Sequence, residues 1–282
     1  MNKSGYTSTF CRLLSLSVIL TVSLLWSGGA ASFAANQEEG QAEEPRIAII
    51  IDDFGNDMGG SDEMLQLGIP MTVAVMPFLP TTAEDAERAH QQGYDVLVHL
   101  PLEPKQGKPE WLGPGAIMTS MSDEEVRSKV EAAVANVPHA VGINNHMGSK
   151  ITGDKRVMGI ILDICREQGL FFVDSKTNYR SVVDELCREK GLPVLENSIF
   201  LDDVSSTGHV AAQLRKAGQL AREQQSCITI GHVGIHGKIT SAALKTAIPD
   251  LMADGVRFIR ISDLAKEQMS SGIKPGPGFT LP

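Results

Sequence analysis

Asp52 and Asp53 stand side by side at the end of a short apolar run, Ile47-Ala48-Ile49-Ile50-Ile51, and just before Phe54-Gly55. A run of β-branched residues of this length reads as a buried strand. Two adjacent carboxylates at its end repel each other, and desolvating either one without a partner costs several kcal/mol. A nearby cation would relieve both penalties, and a metal ion is the simplest one. Histidines recur in comparable places. His99 opens His99-Leu100-Pro101-Leu102-Glu103-Pro104, His146 lies in Asn144-Asn145-His146-Met147-Gly148-Ser149, and His232 follows Gly231. Asp174-Ser175 closes another apolar run. Carboxylate with imidazole suits zinc or another divalent transition metal. Three such ligands with one open position would make a catalytic site, with the pKa of bound water lowered towards ~7. The spacing is not that of a local box such as HExxH, so the ligands must be brought together from separate elements.

The elements that could do so alternate along the chain. Strand-like runs are Arg46–Ile51, Met71–Val75, Tyr94–His99, Ala140–Asn144, Leu170–Asp174, Pro193–Leu195, Cys227–Gly231 and Val256–Ile261. Helix-like runs fill most gaps. Thr81-x-x-Glu84 and Ser122-x-x-Glu125 read as capping boxes, and Gly169 and Gly255 as helix stops. Alternating βα units imply parallel strands with right-handed crossovers. The expected fold is therefore α/β, a deformed barrel of seven to eight parallel strands, with an open doubly wound sheet as the alternative. No GxGxxG or GxxxxGK[ST] element follows the first strand, which leaves dinucleotide and P-loop readings without support. In a parallel barrel every residue just past a strand points to the same end, where barrel enzymes carry their chemistry. Glu196-Asn197 and Asp202-Asp203 also follow strand-like positions. The latter reads as a helix-start acidic pair, or else as part of the pocket rim. The stretch from Glu103 to Met121 lacks periodicity and carries Trp111, the one Trp beyond the N-terminal apolar segment, so it reads as a long loop of functional kind.

These motifs, IIIDDFG (49–55), HLPLEP (99–104), GINNHMGSKIT (142–152), VDSKT (173–177) and TIGHVG (229–234), resemble those of a divergent polysaccharide deacetylase. That is a branch of the NodB-like superfamily of carbohydrate deacetylases, and the resemblance runs from about Arg46 to Ala265. It implies metal-dependent hydrolysis of an N-acetyl (or O-acetyl) group on a glycan of the cell envelope or beyond. It makes Asp52 the general base, Asp53 and His99 metal ligands, and His232 the general acid. Where the family's His-x-x-x-His segment has its second histidine, this chain has Glu103. Asn145-His146-Met147-Gly148 stands where Arg-Pro-Pro-Tyr is usual. The third metal ligand is then His146, with Glu103 as the alternative or an additional ligand. Asn144 and Asn145 are candidate donors to a sugar hydroxyl or an oxyanion. Asp174 could orient His232 or hold substrate, and Trp111 could serve as a sugar platform or as a cap over the barrel end.

Composition sets the frame. Lys3 and Arg12, an apolar stretch from Leu13 to Trp26, and Ser32-Phe33-Ala34 form the pattern of a secretory signal peptide over 1–34. The apolar stretch is shorter than the ~20 residues a spanning helix needs, so cleavage is expected over an uncleaved N-terminal membrane anchor. Residues 35–45 read as a flexible acidic leader, 46–268 as the catalytic domain and 269–282 as a flexible tail. The formal charge is −9, and removing Lys3 and Arg12 leaves 23 basic against 34 acidic residues, or −11. Such a balance, without a dense Lys/Arg run, argues against nucleic acid as a partner and leaves a glycan as the expected one, with no membrane insertion after signal cleavage. Protein partners are left open. Cys165, Cys187 and Cys227 show no metal-type spacing. Two further functions fit the same barrel. One is a non-catalytic metal- or glycan-binding protein of the envelope, to which the 5% aromatic content points. The other is a metal-dependent esterase or phosphoesterase, for which Lys150, Lys176 and Arg180 are the nearby cations.

Overall fold

Residues 44–270 are described by a computed structural model of the chain. The expected signal peptide lies outside them, as do the leader up to 43 and the tail from 271. The elements run β1 (Arg46–Phe54), α1 (Ser61–Leu65), β2 (Thr72–Val75), α2 (Thr82–Gln91), β3 (Asp95–Leu102), α3 (Asp123–Asn136), β4 (Ala140–Met147), α4 (Lys155–Glu167), β5 (Phe171–Asp174), α5 (Val183–Lys190), β6 (Leu195–Glu196), β7 (Ile199–Phe200), α6 (Thr207–Gln224), β8 (Ser226–His232), α7 (Gly237–Ala253), β9 (Arg257–Ile259) and α8 (Ile261–Ser270). All the strand pairs are parallel, and the sheet runs β6-β5-β4-β3-β2-β1-β8-β7. This is the curled, incompletely closed α/β barrel expected from the alternation.

The closure differs from the sequence reading in one respect. The run at 256–261 supplies β9, which pairs only with the first residues of β1 and stands off the main path. The eighth strand of the wall is instead β7, two residues long. β6 pairs with β5, β7 pairs with β8, and the link between them carries the ladder across: Asn197 N–H donates to Asp174 O and Ser198 N–H to Ile228 O.

Strand periodicity sorts the core into two layers. Ile47, Ile49 and Ile51 of β1 pack outward in a cluster that includes helix residues such as Val126, Val157, Ile161 and Leu214. Ala48 and Ile50 point inward, with Ala74, Leu97, Phe171, Val173, Ile228 and Ile230. Ile261, Leu264 and Ala265 of α8 join that inner cluster and close the amino-terminal end of the barrel. The start of α8 is held there by side chains from strand starts. Thr72 accepts from Ile261 N–H at 3.1 Å, and Asp95 accepts from the Ser262 N–H at 2.7 Å and from its hydroxyl. The interior is thus apolar and sealed at one end, and its polar groups gather at the other.

Of the two expected capping boxes, that at Ser122 forms, with Ser122 and Glu125 exchanging both hydrogen bonds. The one at Thr81 does not. Its hydroxyl donates to Asp85 at 2.8 Å and accepts from Asp57 N–H at 3.0 Å, so it serves the loop after β1 rather than the helix. Asp85 also accepts from Gly55 N–H at 2.9 Å, which pins the turn that follows the paired aspartates. A second constraint holds that loop. Gly60 has φ +91°, and a Cβ there would lie 2.4 Å from the Gly237 carbonyl carbon at the start of α7. Gly60→Ala should therefore cost about 1–3 kcal/mol of stability, read as a lowered Tm. Gly159→Ala, in the middle of α4 with open space at its Cβ, should raise Tm.

Candidate metal centre

The inner columns of four strands turn polar at one level. Two residues past Ile50 comes Asp52, past Leu97 comes His99, and past Ile230 comes His232. Asp52 lies in register with His232, and His99 with Asn144. Strict alternation would turn Asp53 outward. Its φ of +73° and the register slip between Ile51 and Phe54 break the alternation, so both carboxylates reach the barrel mouth. An aspartate tolerates this left-handed conformation better than a β-branched residue would.

Asp53 Oδ1 lies 3.2 Å from His99 Nε2 and 3.1 Å from His146 Nδ1, and those two nitrogens are 3.1 Å apart. Among the described residues this is the one group of His, Cys, Asp and Glu side chains whose ligand atoms converge as a metal would require. The hydrogen bonds around it decide which atoms carry protons. The Asn144 amide nitrogen donates to Asp52 Oδ1 at 2.8 Å, so its oxygen faces His99 Nδ1, also at 2.8 Å. An amide oxygen only accepts, so the proton of neutral His99 sits on Nδ1. On the other side, His146 Nε2 donates to the Trp111 carbonyl at 2.9 Å, which leaves its Nδ1 bare. Two imidazole lone pairs and a carboxylate oxygen without a donor therefore face one another. This donor set fits a divalent cation: an N₂O triad with each imidazole oriented by an outer partner.

The two aspartates are driven apart in acidity. Burial raises the Asp52 carboxyl above its ordinary value, against the lowering pull of His99 and His232. Burial works the same way on Asp53, but without a metal the His146 and His99 imidazoles, when they carry protons towards it, overcome burial through hydrogen bonds and charge and hold that carboxyl well below the usual range. The two neighbouring carboxyls are thus displaced in opposite directions. His232 is the third participant. Burial lowers its pKa, but the hydrogen bond to Asp202 and the charge of Asp52 outweigh it, and the imidazole is raised to about 9. Its Nδ1 lies 2.8 Å from Asp202 Oδ1, while Asp202 Oδ2 accepts from His232 N–H at 2.8 Å and from the Thr240 hydroxyl at 2.9 Å.

Several expectations need correction. Glu103 is not at the centre: its Oε2 accepts from Thr119 N–H and hydroxyl, both at 2.7 Å, and its Oε1 pairs with Lys150 at 2.5 Å. It fastens the long loop to the start of the next one, and His146 converges with Asp53 and His99 instead. Asn144 and Asn145 are not free donors. Asn144 is consumed between Asp52 and His99, and Asn145 staples the loops after β4 and β5 through Met147 O, Ser175 N–H and Ser175 hydroxyl. Asp174 does not orient His232; it accepts from Lys176 N–H at 2.8 Å and holds the turn there. Asp202 orients His232. It follows a two-residue strand without a pattern of its own, which is why the sequence suggested a helix-start pair. Trp111 contributes a backbone carbonyl to the centre, while its indole is exposed. Cys165, Cys187 and Cys227 are buried free thiols.

Residues 49–265 match the family of divergent polysaccharide deacetylases. The chain belongs to that family. Over 187 residues it is 36% identical to the uncharacterized protein YibQ of Escherichia coli (strain K12), a match that covers 66% of this chain and 58% of YibQ. The chain thus matches less than two thirds of that relative's length. Over 232 residues it is 31% identical to an uncharacterized protein of Haemophilus influenzae, covering 82% of this chain and 81% of that one. Among solved structures, an uncharacterized protein from Agrobacterium tumefaciens C58 superposes with a TM-score of 0.73 at 18% identity, over 79% of this chain and 90% of the other. The Xyl-CE4 domain of a multidomain xylanase from the hindgut metagenome of Trinervitermes trinervoides superposes with a TM-score of 0.50 at 15% identity, over 79% and 91%. At these identities the two structures bear on the fold, which is the deacetylase barrel.

In this member of the divergent polysaccharide deacetylase family, Asn144 bridges Asp52 and His99. Asn144→Ala should weaken zinc binding roughly 10–100-fold in a competition titration, with the fold retained by circular dichroism. NMR titration of the metal-free protein should find His232 protonated through neutral pH, with a midpoint near the value of about 9 given above, falling towards 6.5 in Asp202→Asn. Because folding raises this pKa, the stabilisation from charged His232 is fully present below 6.5 and is lost as pH rises through about 9.

Proposed function

We propose that the protein is a metal-dependent hydrolase that removes acetyl groups, N-linked or O-linked, from a glycan outside the cytoplasm. The observation that carries this reading is the convergence of Asp53, His99 and His146 beside a buried base and a cationic acid. Asp53 Oδ1, His99 Nε2 and His146 Nδ1 would hold the cation, with zinc the best fit to the donor set. Bound there, a divalent cation would polarise the acetyl carbonyl and acidify water. The remaining work falls to the chain's own groups. Asp52, buried and made more basic by its surroundings, takes the proton from the attacking water. His232, cationic at neutral pH and held by Asp202 through Nδ1, has Nε2 left to protonate the departing amine or alcohol. The wall of α8 and the inner apolar cluster keep bulk water from the far side of these groups. Family membership supports deacetylation as the reaction, and the signal-peptide pattern of 1–34 supports export.

The direct test measures bound zinc by elemental analysis and acetate released from N-acetylglucosamine oligomers and from peptidoglycan. One equivalent of metal is expected, lost in Asp53→Ala and His99→Ala. Asp52→Asn should keep the metal and lose about 10²–10⁴ in kcat. Bound metal without acetate from any glycan would instead indicate a binding protein on the same barrel, and absence of metal would sink the reading of the centre.

A further inference from the structure

Among the described residues, six large apolar side chains are exposed: Phe78, Trp111, Tyr179, Val204, Ile235 and Met252. All but Met252 sit on loops at the carboxyl end of the barrel, after β2, β3, β5, β7 and β8. Two of them belong to one sector. Trp111 is 59% exposed, and its carbonyl holds the metal-ligand candidate His146. Tyr179 is fully exposed on the loop after β5.

The cations of this sector are distributed unevenly. Lys150 is neutralised by Glu103 and Lys176 by Glu196. Lys105, Lys108 and Arg180 are exposed and have no carboxylate partner among the described residues. Lys108 Nζ lies 5.7 Å above the Trp111 ring. Lys105 Nζ donates to Asn178 Oδ1 at 3.1 Å, and the same oxygen accepts from Arg180 N–H at 3.0 Å. One buried amide therefore ties the loop bearing Lys105, Lys108 and Trp111 to the loop bearing Tyr179 and Arg180. Glu110 is the sector's one exposed acid without a partner. In a chain of net charge −9, whose overall field repels polyanions, three unpaired cations on the mouth of the site are a local reversal of sign.

We infer that this sector is a subsite for a glycan that carries carboxylates as well as acetyl groups. Lys105, Lys108 and Arg180 take the carboxylates, and Trp111 and Tyr179 offer flat faces to the sugar rings. The inference rests on the reading of the mouth as a glycan-binding centre and names the class of glycan. The sector adjoins the centre through the Trp111 backbone carbonyl, which accepts from His146 Nε2 at 2.9 Å.

Two tetrasaccharides separate charge from ring recognition: one from hyaluronan, which alternates glucuronate with N-acetylglucosamine, and chitotetraose, which is neutral. Calorimetry on the zinc-supplemented protein at low salt should find the acidic oligomer bound about tenfold more tightly, with the advantage shrinking at high salt. The triple variant Lys105→Ala, Lys108→Ala, Arg180→Ala should erase that advantage and leave chitotetraose binding within about twofold. Tyr179→Ala should weaken both oligomers several-fold. Equal affinity for the two in the unaltered protein, an equal loss of both in the triple variant, or no binding of either overturns the proposal. Acetate release followed in parallel keeps the two readings apart. Acetate without acid preference removes only the subsite, and acid preference without acetate removes only the hydrolase.

Discussion

The Asn144 side chain, buried between Asp52 and His99, is the interaction on which the centre depends. An amide has one donating and one accepting end, and here each end is committed. The carboxylate takes the donor, so the imidazole must supply a proton to the acceptor, and the lone pair of His99 is left facing Asp53. The tautomer of His99, a candidate metal ligand, is thus set by Asp52 through one rigid intermediary. Nothing in this chain of contacts is exchangeable with water, since Asp52, His99 and Asn144 are all buried. Low dielectric makes each link stronger and makes a broken link expensive.

The barrel exists to bring these residues to one level. Period-two alternation puts apolar side chains in the interior for most of each strand and polar ones at the last inward position. Parallel pairing then sets Asp52 beside His232 and His99 beside Asn144 without further specification. Asp53 is the exception, and its left-handed backbone is what lets two consecutive carboxylates reach the same mouth. The turn after it is secured from three directions: Asp85 on Gly55, Thr81 on Asp57, and the close approach of Gly60 to Gly237.

Much of this was legible in the sequence, because it follows from local patterns. The β-branched runs announced β1 to β5 and β8, and the polar residues just past them announced the level of the site. His99 and His146 needed only strand order and direction to be brought to that level, while Asp53 also needed its left-handed backbone. What was not legible came from elements too short to have a pattern, or from contacts made by atoms all residues share. β7 is two residues long, so Asp202 behind it had no visible address, and Asp174 stood as a candidate to orient His232 or to hold substrate. The second imidazole is fixed by a backbone carbonyl of Trp111, which no side-chain identity encodes. Glu103 stood where the family's second histidine is usual, yet Thr119 and Lys150 offered it three donors elsewhere, and an acceptor follows its donors.

The seal made by α8 has a further consequence, for attachment. Pro45 accepts from Arg257, Arg46 pairs with Glu267, and Gln268 exchanges hydrogen bonds with Val194, all at the strand starts. The first and last described residues of the domain therefore emerge from the face opposite the mouth. A tether, a fused partner or a solid support joined at either point would leave the opening turned outward, towards whatever polymer the domain is presented to.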